Sequence, residues 1–333
     1  LALSNVVGVD DLGPHKYDNG ALSLEGSRPG ALPFNDEHNG LVYTCRGGFI
    51  DTAHLRDWAD WTLYLGAQIA RTLETGTTIT LESEGAQRRI ITRPIDPNVL
   101  ARHDRRDIAV PLAQWLAFQL STWHEIATWY GWSTIPLFPE EASAFSPEDL
   151  YSNLLGSKVA GILVYEFAVT SEAAYNENMN AAVRRVLQRL GAVRSKLGIE
   201  ALRAVDGVWW NSKVALPAKN LLLRRNFQIG TELTPWLVAQ APLSNPPKLA
   251  VAEACAGEVK PIVLRNPDTC ASDLVRFDTV ATFELEVEES IAARFPFPRP
   301  GSRHITQADF PAIVAQIRAE NAVEFGANAD RPD

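Results

Sequence analysis

Between Pro111 and Tyr130 the chain places apolar side chains on almost every face of a helix: Leu112, Trp115, Leu116, Phe118, Leu120, Trp123, Ile126 and Trp129. A helix that is hydrophobic all round must be wrapped by other elements. His124 and Glu125 sit in its aromatic run, and the helix reads as a buried rod around which a globular unit is built. Gly131 supplies the stop.

The elements that could cover this rod follow on either side. A helix is expected from about Phe49 to Leu73, with Gly47 and Gly48 before it and Gly76 after. The stretch TTITLESEGAQRRIITRPI alternates on both sides of Glu84-Gly85, which predicts a β-hairpin closed by Pro94 and Pro97. Ser146-Pro147-Glu148-Asp149 has a capping serine, a proline at the first helical position and an acid at the third, which predicts a helix reaching about Phe167. A fourth helix is expected from about Ser171 to Leu197. After Gly207 short apolar runs separated by Pro, Gly and Asn read as strands (NLLLRRNFQI, LTPWLVAQ, KLAVAEA, VKPIVL, TVATFELEVEE), followed by a terminal helix from Asp309 to Glu320. Residues 1–44 carry turn formers at close intervals and read as loop-rich. The expected class is α+β: a buried helical core over about 45–200, with one hairpin, and a following β-rich portion, 201–333, packed on it as one unit.

Composition narrows the function. The 333 residues are 46% hydrophobic and 21% charged, with a net charge of −9. That is ordinary globular composition, and the wrong sign for a general binder of nucleic-acid phosphates. No apolar run reaches the length of a membrane span. P-loop, Rossmann and nucleophile-elbow motifs are missing, which removes the cheapest evidence for nucleotide cofactors and for an α/β-hydrolase. The chain opens at Leu1 with a single methionine, Met179, as either a mature exported chain or a trimmed one would. Of three cysteines, Cys255 and Cys270 have a spacing that a disulfide could close, which would leave Cys45 over.

A buried ionisable group needs an ion partner, hydrogen bonds or a metal. On the first helix, in GFIDTAHLRDWADW, Asp51 and Asp57 lie about 60° to either side of His54, and Trp58 and Trp61 share the stripe. On the second, His124 and Glu125 sit in the aromatic run. Six of the nine tryptophans fall on or just after these two helices, either as core or as the wall of a pocket between them. Together His54, His124, Asp51 and Asp57 would make a nitrogen-and-oxygen metal site, with zinc the first expectation and Glu125 as general base to a metal-activated water. HEIAT is not HExxH, because Thr128 stands where the second histidine would be, so a zincin is excluded. The alternatives are a structural polar network bridging two core helices, or thiol catalysis by Cys45, which precedes a helix and has Arg46 beside it. His15, His38, His103 and His304 sit in polar surroundings and read as solvated. Asp149, Asn153, Gly156 and Ala160 form a small-and-polar stripe on the third helix, read as a close helix contact or a pocket wall.

Three blocks, GLVYTCRGGFIDTAHLRDWADWT, WHEIATWYGW and FSPEDLYSNLLGSKVAG, resemble an uncharacterised family of bacterial exported proteins, described as lipoproteins that carry domain of unknown function 4056. The resemblance covers about residues 40–170. It implies a periplasmic or extracellular location and brings no reaction with it. A metal-dependent hydrolase acting on an envelope or extracellular substrate is therefore the leading expectation, with a non-enzymatic envelope or binding protein next.

Overall fold

In a computed structural model, residues 6–17, 37–133, 140–167, 169, 171–214, 218–243, 250–257 and 260–333 are described, together with backbone pairing at 22–23 and 26–27. Most of the loop-rich stretch expected before residue 37 lies outside them. The class is mixed α+β, with the expected helical core at its centre.

β1 (Leu41–Thr44) and β2 (Gly48–Asp51) form a tight antiparallel ribbon, Val42 opposite Ile50. Gly48, at φ +67°, makes the reversal; a side chain there would strike the Trp236 carbonyl. α1 (Thr52–Thr72) starts at once, its first turn capped by Asp51, whose carboxylate accepts from the Ala53 and His54 amides. The helix expected from Phe49 is thus three residues shorter, because Phe49 and Ile50 are held in the ribbon.

The hairpin forms as expected from β3 (Thr77–Leu81) and β4 (Ala86–Thr92), with Gly85 at φ +63° in the turn. α2 (Arg105–Trp129) is the buried rod. It begins six residues before Pro111, and Asp104 caps it through the Arg106 amide. α3 (Asp149–Glu166) and α1 pack against α2 and against each other. The predicted fourth helix divides into α4 (Glu172–Arg189) and α5 (Ser195–Ala204), with Gly191 at φ +75° between them.

The portion after residue 200 is less β-rich than expected. NLLLRRNFQI holds only a 3-10 turn, Lys219–Leu221; described residues of KLAVAEA are helical; and VKPIVL contributes a two-residue strand, Leu264–Arg265. Leu221, Leu222 and Val251 of these runs are nevertheless buried, without a ladder. One prediction there matches the structure closely. β5 (Ala281–Val287) pairs antiparallel with β4, Phe283 opposite Ile90, and β6 (His304–Thr306) pairs with β5, giving a sheet of order β6–β5–β4–β3. α6 (Phe310–Phe325) then packs on α2. Four tryptophans of the first two helices, Trp58, Trp115, Trp123 and Trp129, are buried core, whereas Trp61 and Trp132 keep part of their surface open.

The disulfide is not the one the spacing suggested. Cys45, at the end of β1, is bonded to Cys255, 210 residues on, and Cys270 is the free thiol. Sequence proximity of Cys255 and Cys270 counted for less than the fold, which brings the end of the Ala250–Ala254 helix to the β1–β2 turn.

Candidate metal centre

Three core helices meet at one point. His54 comes from the first turn of α1, Glu125 from the last third of α2, and Asp149 from the first residue of α3. One ligand atom of each lies within 4.8 Å of the others. Local interactions aim them. The Asp51 cap fixes the start of α1 and so the azimuth of His54. The Phe145 amide donates to Glu125 Oε2 at 2.5 Å, and the Ser146 amide donates to Asp149 Oδ2 at 3.0 Å. The turn before α3 therefore binds both carboxylates, and Ser146, expected as the cap, serves through its amide instead. His54 Nδ1 stands 3.5 Å from Asp149 Oδ1 and is buried without a hydrogen-bond partner among the described residues.

His124 lies beside this group without joining it. Its ring centroid is 6.4 Å from that of His54, in an edge-to-face arrangement, and 5.7 Å from that of Trp132. Its Nδ1 donates to Glu84 Oε1 at 2.5 Å, and Glu84, in the hairpin turn, is also ion-paired with Arg88. His54 and His124 keep 29% and 25% of their side-chain surface open to water. Burial is nevertheless the largest influence on both. Both rings are therefore reached by solvent on one side while protein atoms surround the rest. Asp57, one turn further along α1, shows the same combination: it is solvent-accessible, and burial with the Asp60 charge holds its carboxyl at about 7.

The electrostatics are those of a site built for positive charge. Burial would lower His54, but Asp149, Asp51 and Glu125 together outweigh it and raise the imidazole to about 9. Burial likewise opposes the charge on His124, and Glu84 with Glu125 raises it to about 9. Glu125 and Asp149 are both pushed up, first by burial; for Asp149 the Glu125 charge adds to it. Glu84, by contrast, is held below the ordinary range, because Arg88 and His124 overcome its burial. A divalent cation would compete with protons for Glu125, Asp149 and His54.

The sequence-selected residues thus separate. His54 and Glu125 converge, with Glu125 among the potential ligands rather than clear of them. His124 is committed through Nδ1 to Glu84, Asp51 to the cap of α1, and Asp57 stands at the accessible side. Asp149 was read as the acid of a helix start and as part of a stripe, and not as a ligand; its place at the start of α3, one helical turn from a second polar residue, was the available signal. The thiol alternative is overturned: Cys45 is in a disulfide and has no thiolate to offer. His15 is also corrected. It is buried, with Nδ1 2.6 Å from Glu37 Oε1 and Nε2 3.0 Å from Asp60 Oδ1, because the N-terminal segment folds across α1.

A family model described as a protein of unknown function (DUF4056) matches residues 1–239. No curated protein and no solved structure matches the chain. None of the helices among the described residues is long and apolar enough to cross a membrane.

Proposed function

We propose that this chain, which belongs to the DUF4056 family, is an exported hydrolase that uses a divalent metal held by His54, Glu125 and Asp149 to act on an envelope or extracellular substrate. The observation that carries the reading is the convergence of one imidazole and two carboxylates within 4.8 Å, with a buried His54 nitrogen that has no hydrogen-bond partner among the described residues. Three protein ligands and an open position are the pattern of a catalytic rather than a structural ion. Such an ion would bring a bound water towards a pKa of about 7 and polarise a carbonyl or phosphoryl oxygen. Glu125 keeps one oxygen on the Phe145 amide and the other for the ion or the water upon it. His124, held upright by Glu84, faces the same space and can pass a proton to a leaving group. The half-open indoles of Trp61 and Trp132 offer the substrate apolar walls. The Cys45–Cys255 bond supports an oxidising compartment, hence export.

The second reading is a non-enzymatic envelope protein. The His124–Glu84–Arg88 network favours it, since Glu84 pairs with both cations without a ligand. Elemental analysis of untagged protein before and after chelation separates the two. The first reading expects about one equivalent of metal per chain, stripped by chelator and missing from a folded His54→Ala/Asp149→Ala variant. Protein that takes up no metal after exposure to Mn2+ or Zn2+ would leave the second.

A further inference from the structure

The α1–α3 seam holds one more polar side chain than the metal triad accounts for. Asn153 lies four residues after Asp149 on α3, so the two project from the same face of the helix, one above the other. It is 1% exposed, and neither its amide nitrogen nor its amide oxygen has a hydrogen-bond partner among the described residues. Its surroundings are closed at both ends. Above it, Asp149 meets His54 at 3.5 Å. Below it, the helices touch backbone to backbone: a Cβ on Gly156 would collide with the carbonyl oxygen of Leu55, the residue after His54. Asn153 thus stands, by helix spacing, between two residues of α3 that meet the start of α1. Buried amides are ordinarily hydrogen-bonded; Asn321 is likewise unpaired at both ends among the described residues, and what singles out Asn153 is its place one turn from Asp149.

We propose that Asn153 Oδ1 is a fourth protein ligand of the ion held by His54, Glu125 and Asp149. This rests on the metal reading above and extends it to the kind of metal. One imidazole nitrogen with three oxygens, one of them a neutral amide, is the donor set of a six-coordinate, oxygen-preferring ion of the Mn2+ class, completed by water. A zinc site is satisfied by three protein ligands and a water. Asn153 therefore matters more for Mn2+ than for Zn2+, and the expectation of zinc from the sequence gives way to manganese.

The test is calorimetric titration of chelator-stripped, untagged full-length chain with MnCl2 and, separately, ZnCl2, for wild type, Asn153→Leu and Asn153→Asp, with circular-dichroism melts to establish folding. Wild type is expected to bind about one Mn2+. Asn153→Leu should weaken Mn2+ at least tenfold and Zn2+ less than threefold, and Asn153→Asp, which restores the oxygen, should bind Mn2+ at least as tightly as wild type. Unchanged Mn2+ affinity in folded Asn153→Leu overturns the ligand assignment and leaves the triad standing. Asn153→Asp binding as weakly as a tenfold-weakened Asn153→Leu overturns it also, and is the deciding result if the leucine variant does not fold. Equal losses for both ions support ligation and overturn the preference for Mn2+. Wild type that binds neither ion overturns this inference together with the metal reading.

Discussion

Phe145 holds Glu125 from the turn before α3: its amide, at a backbone φ of +57°, donates to Glu125 Oε2 at 2.5 Å. A bulky residue in the left-handed region is costly and persists only where its surroundings over-determine it. Here they do. Arg225, fully buried, donates to the Ala144 carbonyl and, at 3.2 Å, to that of Ala142. The Asn226 amide donates to the Phe145 carbonyl at 2.9 Å, and the Phe227 ring packs on Phe145 with centroids 4.9 Å apart.

Arg225→Met should therefore act on the site although Arg225 is not among its ligands. Three carbonyls lose a buried donor, the third being that of Lys219, and the cost should be about 2–4 kcal/mol of stability. Divalent affinity should fall about tenfold as the Phe145 amide drifts from Glu125. Urea unfolding and metal titration of the same preparation check both; unaltered affinity in a destabilised variant would separate the turn from the site.

Glu125→Gln should be nearly neutral for the metal-free fold. The amide oxygen still accepts from Phe145, and a carboxyl already pushed up by burial loses little by becoming permanently neutral. Stability in chelator is expected within about 1 kcal/mol of wild type. What should disappear is the stabilisation that metal confers, roughly 2.7 kcal/mol at a hundredfold excess over Kd. Melting curves with and without Mn2+ measure it.

Gly156→Ala should wedge α1 from α3, since the added methyl would meet the Leu55 carbonyl rather than a flexible side chain. About 2–4 kcal/mol of destabilisation is expected. The displacement would also widen the His54–Asp149 separation, so a folded fraction should bind metal poorly, in contrast to Gly66→Ala, where the new Cβ would meet only Ala113 at 3.6 Å.

The pH dependence of stability should carry the mark of His15. Burial would lower this imidazole, but Asp60 and Glu37 raise it to about 9. Its stabilising contribution is fully present below the unfolded value of 6.5 and lost as pH rises through about 9. The loss is on the order of 3 kcal/mol. His54 and His124 also lie near 9, so the measurement is the difference between wild type and His15→Gln in urea unfolding from pH 6 to 9.5. The two should converge towards the alkaline end, where wild type has lost its advantage.

Non-reducing peptide mapping should recover Cys45 with Cys255, and thiol reagents should label Cys270 slowly, because burial holds its thiol at about 11. Reduction should lower stability by about 2–5 kcal/mol. A thiol at position 45 that alkylates in unreduced protein would contradict the bond.

The periodicity of residues 52–129 and the turn chemistry at Glu84-Gly85 were sufficient to locate α1, the hairpin and α2, since each depends on neighbours within a few residues along the chain. They were also sufficient to single out His54, His124 and Glu125 as polar residues on helices with little solvent face. Between Gly207 and Leu264 the same reasoning misread coil, turn and a short helix as strand, because an apolar run states that it will be buried and not what will bury it. The pairing of Cys45, the burial of His15 between two carboxylates, the withdrawal of His124 to Glu84 and the entry of Asp149 beside His54 are contacts between segments from 22 to 210 residues apart. No local pattern encodes such contacts: they follow from how the helices cross, and a shift of a few ångströms between helices exchanges one ligand set for another.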